Sequence, residues 1–109
     1  MIVVTRVLSA DDTDVLASTD LANIPADGQL DVYAASTQSD TTCSITGPGN
    51  EPVIRLRPLQ LRTNGQPSLE TDVPFTLGAV QGGHYVINID IVTAATVVVV
   101  AIFRDAGDA

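Results

Sequence analysis

The chain has 109 residues, of which 45% are hydrophobic and 4% aromatic, so it can form one compact domain with an aliphatic core. Its 13 acidic and 5 basic residues give a formal net charge of -8, and every basic residue is an arginine. This charge repels a phosphate backbone and an anionic bilayer, so we expect neither nucleic acid nor a membrane among the partners.

The cysteine content and the lengths of the apolar runs indicate which classes of protein the chain does not resemble. Cys43 is the single cysteine, which precludes an intrachain disulfide and favours a reducing assembly compartment. Residues 1–6 lack the basic region and apolar stretch of a signal peptide. The longest apolar run, residues 97–103, is much shorter than the about 20 residues that a membrane-spanning helix needs.

The first half of the chain shows strand patterns in most segments. Ile2–Leu8 is a β-branched run with one charge. Residues 14–19 predict either a short strand or a helical turn, because the segment Asp11-Asp12-Thr13-Asp14 can cap a helical turn. Period-two alternation then predicts strands at residues 29–36 and 42–46.

The segment 52–62 changes phase at a proline. Ile54 and Leu56 alternate with arginines before Pro58, whereas Leu59 and Leu61 alternate with polar residues after it. Proline cannot donate a hydrogen bond to a strand ladder. The phase change therefore predicts a bulge or an edge position at Pro58.

Three further strands are predicted at residues 73–77, 84–92 and 97–103. Turn sequences such as Asn64-Gly65 and Gly82-Gly83 separate the strand patterns. About eight short strands punctuated in this way predict an all-β fold, a single-domain antiparallel β-sandwich or jelly roll. We expect this domain to cover residues 1–109, with residues 104–109 as a flexible tail.

Two of the predicted strands are apolar on both faces, although a half-exposed antiparallel strand should alternate. Either parts of the same subunit cover the second face, or another copy of the chain covers it. An uncovered run of this kind would be prone to aggregate. The second interpretation predicts an interface that includes Ile2, Val4, Val97, Val98, Val99, Val100, Ile102 and Phe103.

Arg55, Arg57 and Arg62 concentrate positive charge in one segment of an acidic chain. They form either the polar outer face of a strand or a docking strip for a neighbouring protein. A guanidinium group binds a carboxylate through two parallel hydrogen bonds, so a row of arginines on one protein can pair with Asp or Glu side chains on a neighbour. Arginine is also enriched at protein interfaces.

The sequence predicts no catalytic, cofactor or metal site. His84 is the only histidine, and together with Cys43 it supplies too few ligands for zinc, which needs three or four. We interpret His84 as an ordinary histidine near a turn and Cys43 as a small buried hydrophobic residue. Asp11, Asp12 and Asp14 could bind Ca²⁺, but they lack the glycine and closing glutamate of a calcium loop, which favours a solvated acidic loop.

The order of these features resembles a known family. Residues 24–36 begin a strand after a Pro/Gly turn, and a Thr/Ser-rich strand and the Gly-Pro-Gly-Asn turn at 47–50 follow. An arginine-bearing strand comes next, and Gly82-Gly83 leads into two long apolar strands. As a pattern over roughly the whole chain, this resembles the small β-sandwich proteins that coat or cement the icosahedral capsids of viruses, especially bacteriophages.

The resemblance implies a non-enzymatic structural protein that lies on the capsid exterior of the virion after assembly in the host cytoplasm. Its partners would be further copies of itself, a trimer being favoured, and the major capsid protein. Acidic charge suits a face directed away from packaged nucleic acid. Binding only the assembled shell would stabilise it by mass action.

A ligand- or carbohydrate-binding β-sandwich is the alternative function. Such sites usually present exposed aromatic side chains as stacking platforms. The chain has only four aromatic residues, and three of them lie in the apolar phase of their strands. This function is therefore the less favoured of the two.

Overall fold

The computed structural model describes residues 1–25, 27–70, 72, 74–77 and 82–105, and these form eight strands and no helix. The all-β prediction is thereby confirmed. The strands are β1 (Ile2–Leu8), β2 (Gly28–Ser36), β3 (Thr42–Thr46), β4 (Pro52–Pro58), β5 (Gln60–Leu61), β6 (Phe75–Leu77), β7 (Val86–Asp90) and β8 (Val97–Asp105).

The strands form two sheets. The first has the order β1-β8-β2-β5, with β6 also paired to β2, and the second has the order β4-β3-β7. All pairs are antiparallel except the two-residue contact between β5 and β2, which is parallel. The inward-facing residues of both sheets belong to one hydrophobic core, as in a β-sandwich.

The pairing pattern is that of a jelly roll. β1 pairs with β8, β2 with β6, and β3 with β4. The fourth pair joins β7 to the segment before residue 16, where Asp12 and Ile89 form an antiparallel bridge with N···O distances of 3.2 and 2.8 Å. Contacts of β8 with β2 and of β7 with β3 join these four pairs into two layers.

Of the two alternatives for residues 14–19, the strand does not form and the turn does. The segment runs through successive turns, in which the N–H groups of Ala17 and Thr19 donate to carbonyls three residues earlier at 3.2 Å. The Thr19 hydroxyl also bonds locally to the Leu16 carbonyl, in competition with a strand ladder. Val15 and Leu16 are fully buried, so the segment closes the sandwich with apolar side chains instead of adding a strand.

Pro58 marks the place where the chain changes sheets. β4 ends there as the edge strand of the second sheet, and β5 joins the first sheet beside β2. The buried Leu59 lies at the crossing, and its N–H group donates to the Thr41 carbonyl at 3.2 Å. The predicted edge position is confirmed, and the phase changes where the chain passes from one sheet to the other.

β8 lies between β1 and β2, and its side chains are buried on both faces. It extends to Asp105, so residues 104 and 105 belong to a strand and not to the predicted flexible tail. Residues 106–109, and Val73 of the strand predicted at 73–77, lie outside the described residues. The side chains of β8 that face the other sheet are Val97, Val99, Ala101 and Phe103.

Candidate functional site

The outer surface of the first sheet is apolar. The strand registers place Val3 opposite Ile102 and Val7 opposite Val98 on one side of β8. On the other side, Tyr33 of β2 lies opposite Val100. We use the name apolar face for the outward-pointing residues Val3, Thr5, Val7, Tyr33, Ala35, Val98, Val100 and Ile102.

The outer surface of the second sheet is polar by contrast. Ser44 of β3 lies opposite Asn88 of β7, and Thr42 lies opposite Asp90. The alternate residues of the same strands, such as Cys43, are fully buried in the core. The second sheet thus has the inside-apolar, outside-polar alternation expected of a sheet with one face in water, whereas the first sheet does not.

Exposure is uneven across the apolar face. Val3 and Val7 of the edge strand β1 are 51% and 66% exposed, whereas Val98, Val100 and Ile102 of β8 are 7–8% exposed. Tyr33 packs against these three residues. Neighbouring strands of the same subunit therefore bury the outer side of β8, and most of the accessible apolar surface lies on β1.

Several residues of the predicted interface lie instead in the core between the sheets. Val4 is only 9% exposed, and Ile2 packs against the same core cluster. Val97, Val99 and Phe103 also face the second sheet. While the domain is folded these residues cannot line an interface, so we correct the candidate set to the opposite face of the same strands.

Sequence reasoning missed Val3 and Val7 because it could not determine which side of β1 faces the core. Arg6 alternates with them, and a lone charge normally indicates the solvent side. In the structure Arg6 lies on the inward side of β1, opposite Val99. Its Nη1 donates to the Val15 carbonyl at 2.8 Å, and its Nη2 lies 3.5 Å from Asp12 Oδ2.

A buried acid at the rim of the apolar face is neutralised. Asp31 is 5% exposed, and Arg104 Nη1 donates to its Oδ2 at 2.7 Å. Gln29 and Thr76 donate to its other oxygen at 3.0 Å. The apolar face therefore has no uncompensated charge at this rim.

The three arginines predicted as a docking strip do not lie together. Arg55 and Arg57 are exposed on β4 and form no ion pair with any described residue. Arg62 follows β5 on the first sheet, where it is ion-paired with the buried carboxylate of Asp72. The candidate strip is therefore reduced to the two arginines of β4.

The acidic residues near position 12 do not converge on a common point. Asp11 Oδ1 accepts a hydrogen bond from the Ile91 N–H group at 2.6 Å, and Asp12 is paired with Arg6. Asp14 Oδ2 lies 2.7 Å from His84 Nε2. Among the described residues, no group of three or more His, Cys, Asp or Glu side chains could hold a metal ion.

His84 connects the turn segment to the start of β7. One ring nitrogen bonds to Asp14, and Nδ1 bonds to the Ala22 carbonyl. Both partners accept hydrogen bonds, so the doubly protonated ring satisfies both. The hydrogen bond to Asp14, followed by that to Ala22, raises the pKa of His84 above its ordinary value.

Cys43 is fully buried in the core, as predicted. Burial raises the pKa of its thiol to about 12. At neutral pH the sulfur is protonated, and a protonated thiol is a poor nucleophile.

A shallow depression of about 250 Å³ lies on the polar outer surface of the second sheet. Its lining includes Asp11, Ser44, Leu56, Asn88 and Asp90, and none of its lining residues is aromatic. It can offer hydrogen bonds to a small polar molecule, but no stacking platform for a sugar ring.

Comparison with protein-family models, with curated proteins and with solved structures returned no match. Within the described part of the chain, no helix is long and apolar enough to cross a membrane.

Proposed function

We propose that this chain is a non-enzymatic structural protein that associates with further copies of itself through the apolar face. We further propose that it binds the outside of a viral capsid as a decoration or minor capsid protein. The observation that supports self-association is the difference between the two outer surfaces: one sheet presents polar residues to water, and the other presents Val3 and Val7.

The distribution of charge over the surface supports a second copy of the chain as the partner that binds the apolar face. Two copies that each carry a net charge of -8 repel each other over most of their surfaces. The one acid on this side of β2, Asp31 opposite Ile102, is paired with Arg104, so the apolar face carries no unpaired charge there. Contact between two such faces buries apolar area where this repulsion is weakest.

The size of the apolar face supports a function on a repeating surface. Three strands spaced about 4.8 Å apart, over seven residues of about 3.4 Å each, cover about 340 Å². A stable interface typically buries about 800 Å² on each partner. Contacts this small are weak between free molecules, but they add up when many copies are held on one lattice.

The capsid part of the proposal is supported by the family resemblance and is compatible with the fold. Jelly rolls occur in viral capsid proteins, and also in lectins and cupins, so the topology does not identify the function. The major capsid protein is the proposed partner, and a trimer is the proposed oligomer. A carbohydrate-binding function has less support, because the depression of about 250 Å³ has no aromatic lining and the one beside Tyr33 and Phe75 measures only about 70 Å³.

Sedimentation equilibrium over about 10 µM to about 1 mM tests self-association. We expect the average mass of the wild-type chain to rise with concentration, and that of the Val3→Glu/Val7→Glu variant to stay at the monomer value. The matched control is Leu56→Glu/Val92→Glu, which adds the same two charges at positions that are each 71% exposed and lie outside the apolar face. A wild-type chain that stays monomeric throughout would refute self-association.

Co-sedimentation with purified capsids from the source of the chain tests the second part. We expect the chain to pellet with assembled shells and to remain soluble with dissociated shell subunits. No binding to shells would refute the capsid assignment and leave self-association to be judged on the mass measurement alone. A defined hit on a glycan array would favour the carbohydrate-binding alternative instead.

A further inference from the structure

The exposed edge of β4 is a second surface with a distinct chemistry. β4 ends the second sheet and pairs with β3 on one side only. Its residues are all exposed apart from Ile54, which is partly buried. An edge strand of this kind presents unpaired backbone N–H and C=O groups to which another extended chain can bind.

The side chains along this edge are cationic and apolar. Arg55 and Arg57 are the two arginines without an ion pair to a described residue, whereas the other three are each paired with an aspartate. Leu56 between them is 71% exposed, and Val53 is 37% exposed. The register pairs Ile54 with Ile45 and Arg57 with Cys43, so β4 has one extra residue in this stretch, and Arg55, Leu56 and Arg57 are all exposed there.

These charges determine what can pair with β4. Two β4 strands placed side by side would bring arginines against arginines, and like charges on paired strands are destabilising. Two further features oppose pairing of β4 with an arbitrary strand. One is the proline at each end of β4, Pro52 and Pro58, and the other is the irregular register between β4 and β3. An acidic extended segment meets opposite charge instead.

We propose that β4 binds an extended acidic segment of a partner protein by strand addition. The segment carries two carboxylates, which pair with Arg55 and Arg57, and an apolar residue, which contacts Leu56. Backbone hydrogen bonds to the β4 edge supply affinity for any extended segment, whatever its side chains. The arginine–carboxylate pairs supply the selectivity for an acidic one. This inference is independent of self-association, because the apolar face belongs to the other sheet.

The probe is a fluorescein-labelled peptide, Thr-Val-Asp-Val-Glu-Val-Thr with capped ends, whose binding is measured by anisotropy at low salt. We expect binding that weakens as salt is raised, and that slows hydrogen exchange of β4 amides in NMR spectra. The Arg55→Gln/Arg57→Gln variant should bind the peptide about tenfold more weakly, because two charged contacts are lost.

Two controls separate strand addition from general attraction between charges. The Val3→Glu/Val7→Glu variant has the same change in net charge and should bind the peptide as the wild type does, even if it no longer self-associates. Peptides with N-methyl groups on alternate residues, in the two possible registers, test the backbone contacts. A peptide whose N-methyl groups replace the N–H groups that face β4 should not bind. A peptide methylated on the N–H groups that face away from β4 should still bind.

Three results would overturn the proposal. The first is equal binding by the Arg55→Gln/Arg57→Gln variant, and the second is equal binding of both N-methylated peptides, which would indicate ionic contact without strand pairing. The third is protection of β4 amides that rises with protein concentration in the absence of peptide, which would place a second copy on the edge.

Discussion

Val99 and Val100 are adjacent in β8 and lie on opposite faces of the strand. Replacing each with alanine measures separately how much packing on each face contributes to the free energy of unfolding. Val99 is 1% exposed and lies between the sheets, whereas Val100 is 8% exposed on the apolar face. Each substitution removes two carbon atoms, or about 1.6 kcal/mol of transfer free energy. At Val99 the surrounding core cannot collapse fully, and the cavity raises the expected loss to about 2.5 kcal/mol.

At Val100 the expected loss is about 1 kcal/mol, because water and the flanking side chains can fill the outer space. Urea unfolding monitored by circular dichroism gives both free energies of unfolding, provided that the m-values agree. Sedimentation equilibrium then compares the folded variants, and only Val100→Ala should weaken self-association. Equal losses of stability, or weaker association of Val99→Ala alone, would refute the assignment of the two faces.

Three further predictions concern the core and the loop contacts. Because the pKa of His84 is raised above 6.5 in the folded state, its stabilising contribution is complete below that value and is lost as pH rises through the higher folded pKa. Urea unfolding should give a lower free energy of unfolding at about pH 8 than at about pH 6. The His84→Gln variant should show a smaller difference between the two pH values. An equal difference in the variant and the wild type would contradict the role given to His84. Gly28→Ala should destabilise the domain by about 1–3 kcal/mol, because its Cβ would lie 2.5 Å from Phe103 Cζ. Gly49→Ala, whose nearest neighbour is a mobile carboxylate, is the near-neutral control in the same thermal melts. Cys43 should resist thiol reagents in the folded protein and react in urea, and rapid labelling of the native chain would show that it is not buried as described.

The positions of the strands could be predicted wherever local alternation was clear. β1 and β3 have the predicted bounds, and β2 begins one residue earlier than expected. In β3 and β7, polar residues alternate with buried ones, so the same pattern also indicated which side faces the core. The proline at the phase change correctly predicted that β4 is an edge strand.

The candidate surfaces could be predicted only in part. The sequence indicated that β8 is apolar on both sides, but a strand without polar residues contains no information about which side faces the second sheet. The arginine-rich segment 55–62 appeared continuous, yet the chain crosses between sheets at Pro58 and leaves Arg62 beside Asp72. No local pattern indicated the contact of His84 with Asp14, since the two residues are 70 positions apart.

By itself, therefore, the sequence determined the all-β class and most of the strands, because alternation and turn residues act between near neighbours. Only the tertiary structure decided the order of strands in the sheets, the outward side of β1 and β8, and which arginines remain unpaired. These features depend on contacts between distant segments, such as β1 with β8 at the two ends of the chain. Their pairing follows from how the whole core is filled, which no short stretch of residues specifies.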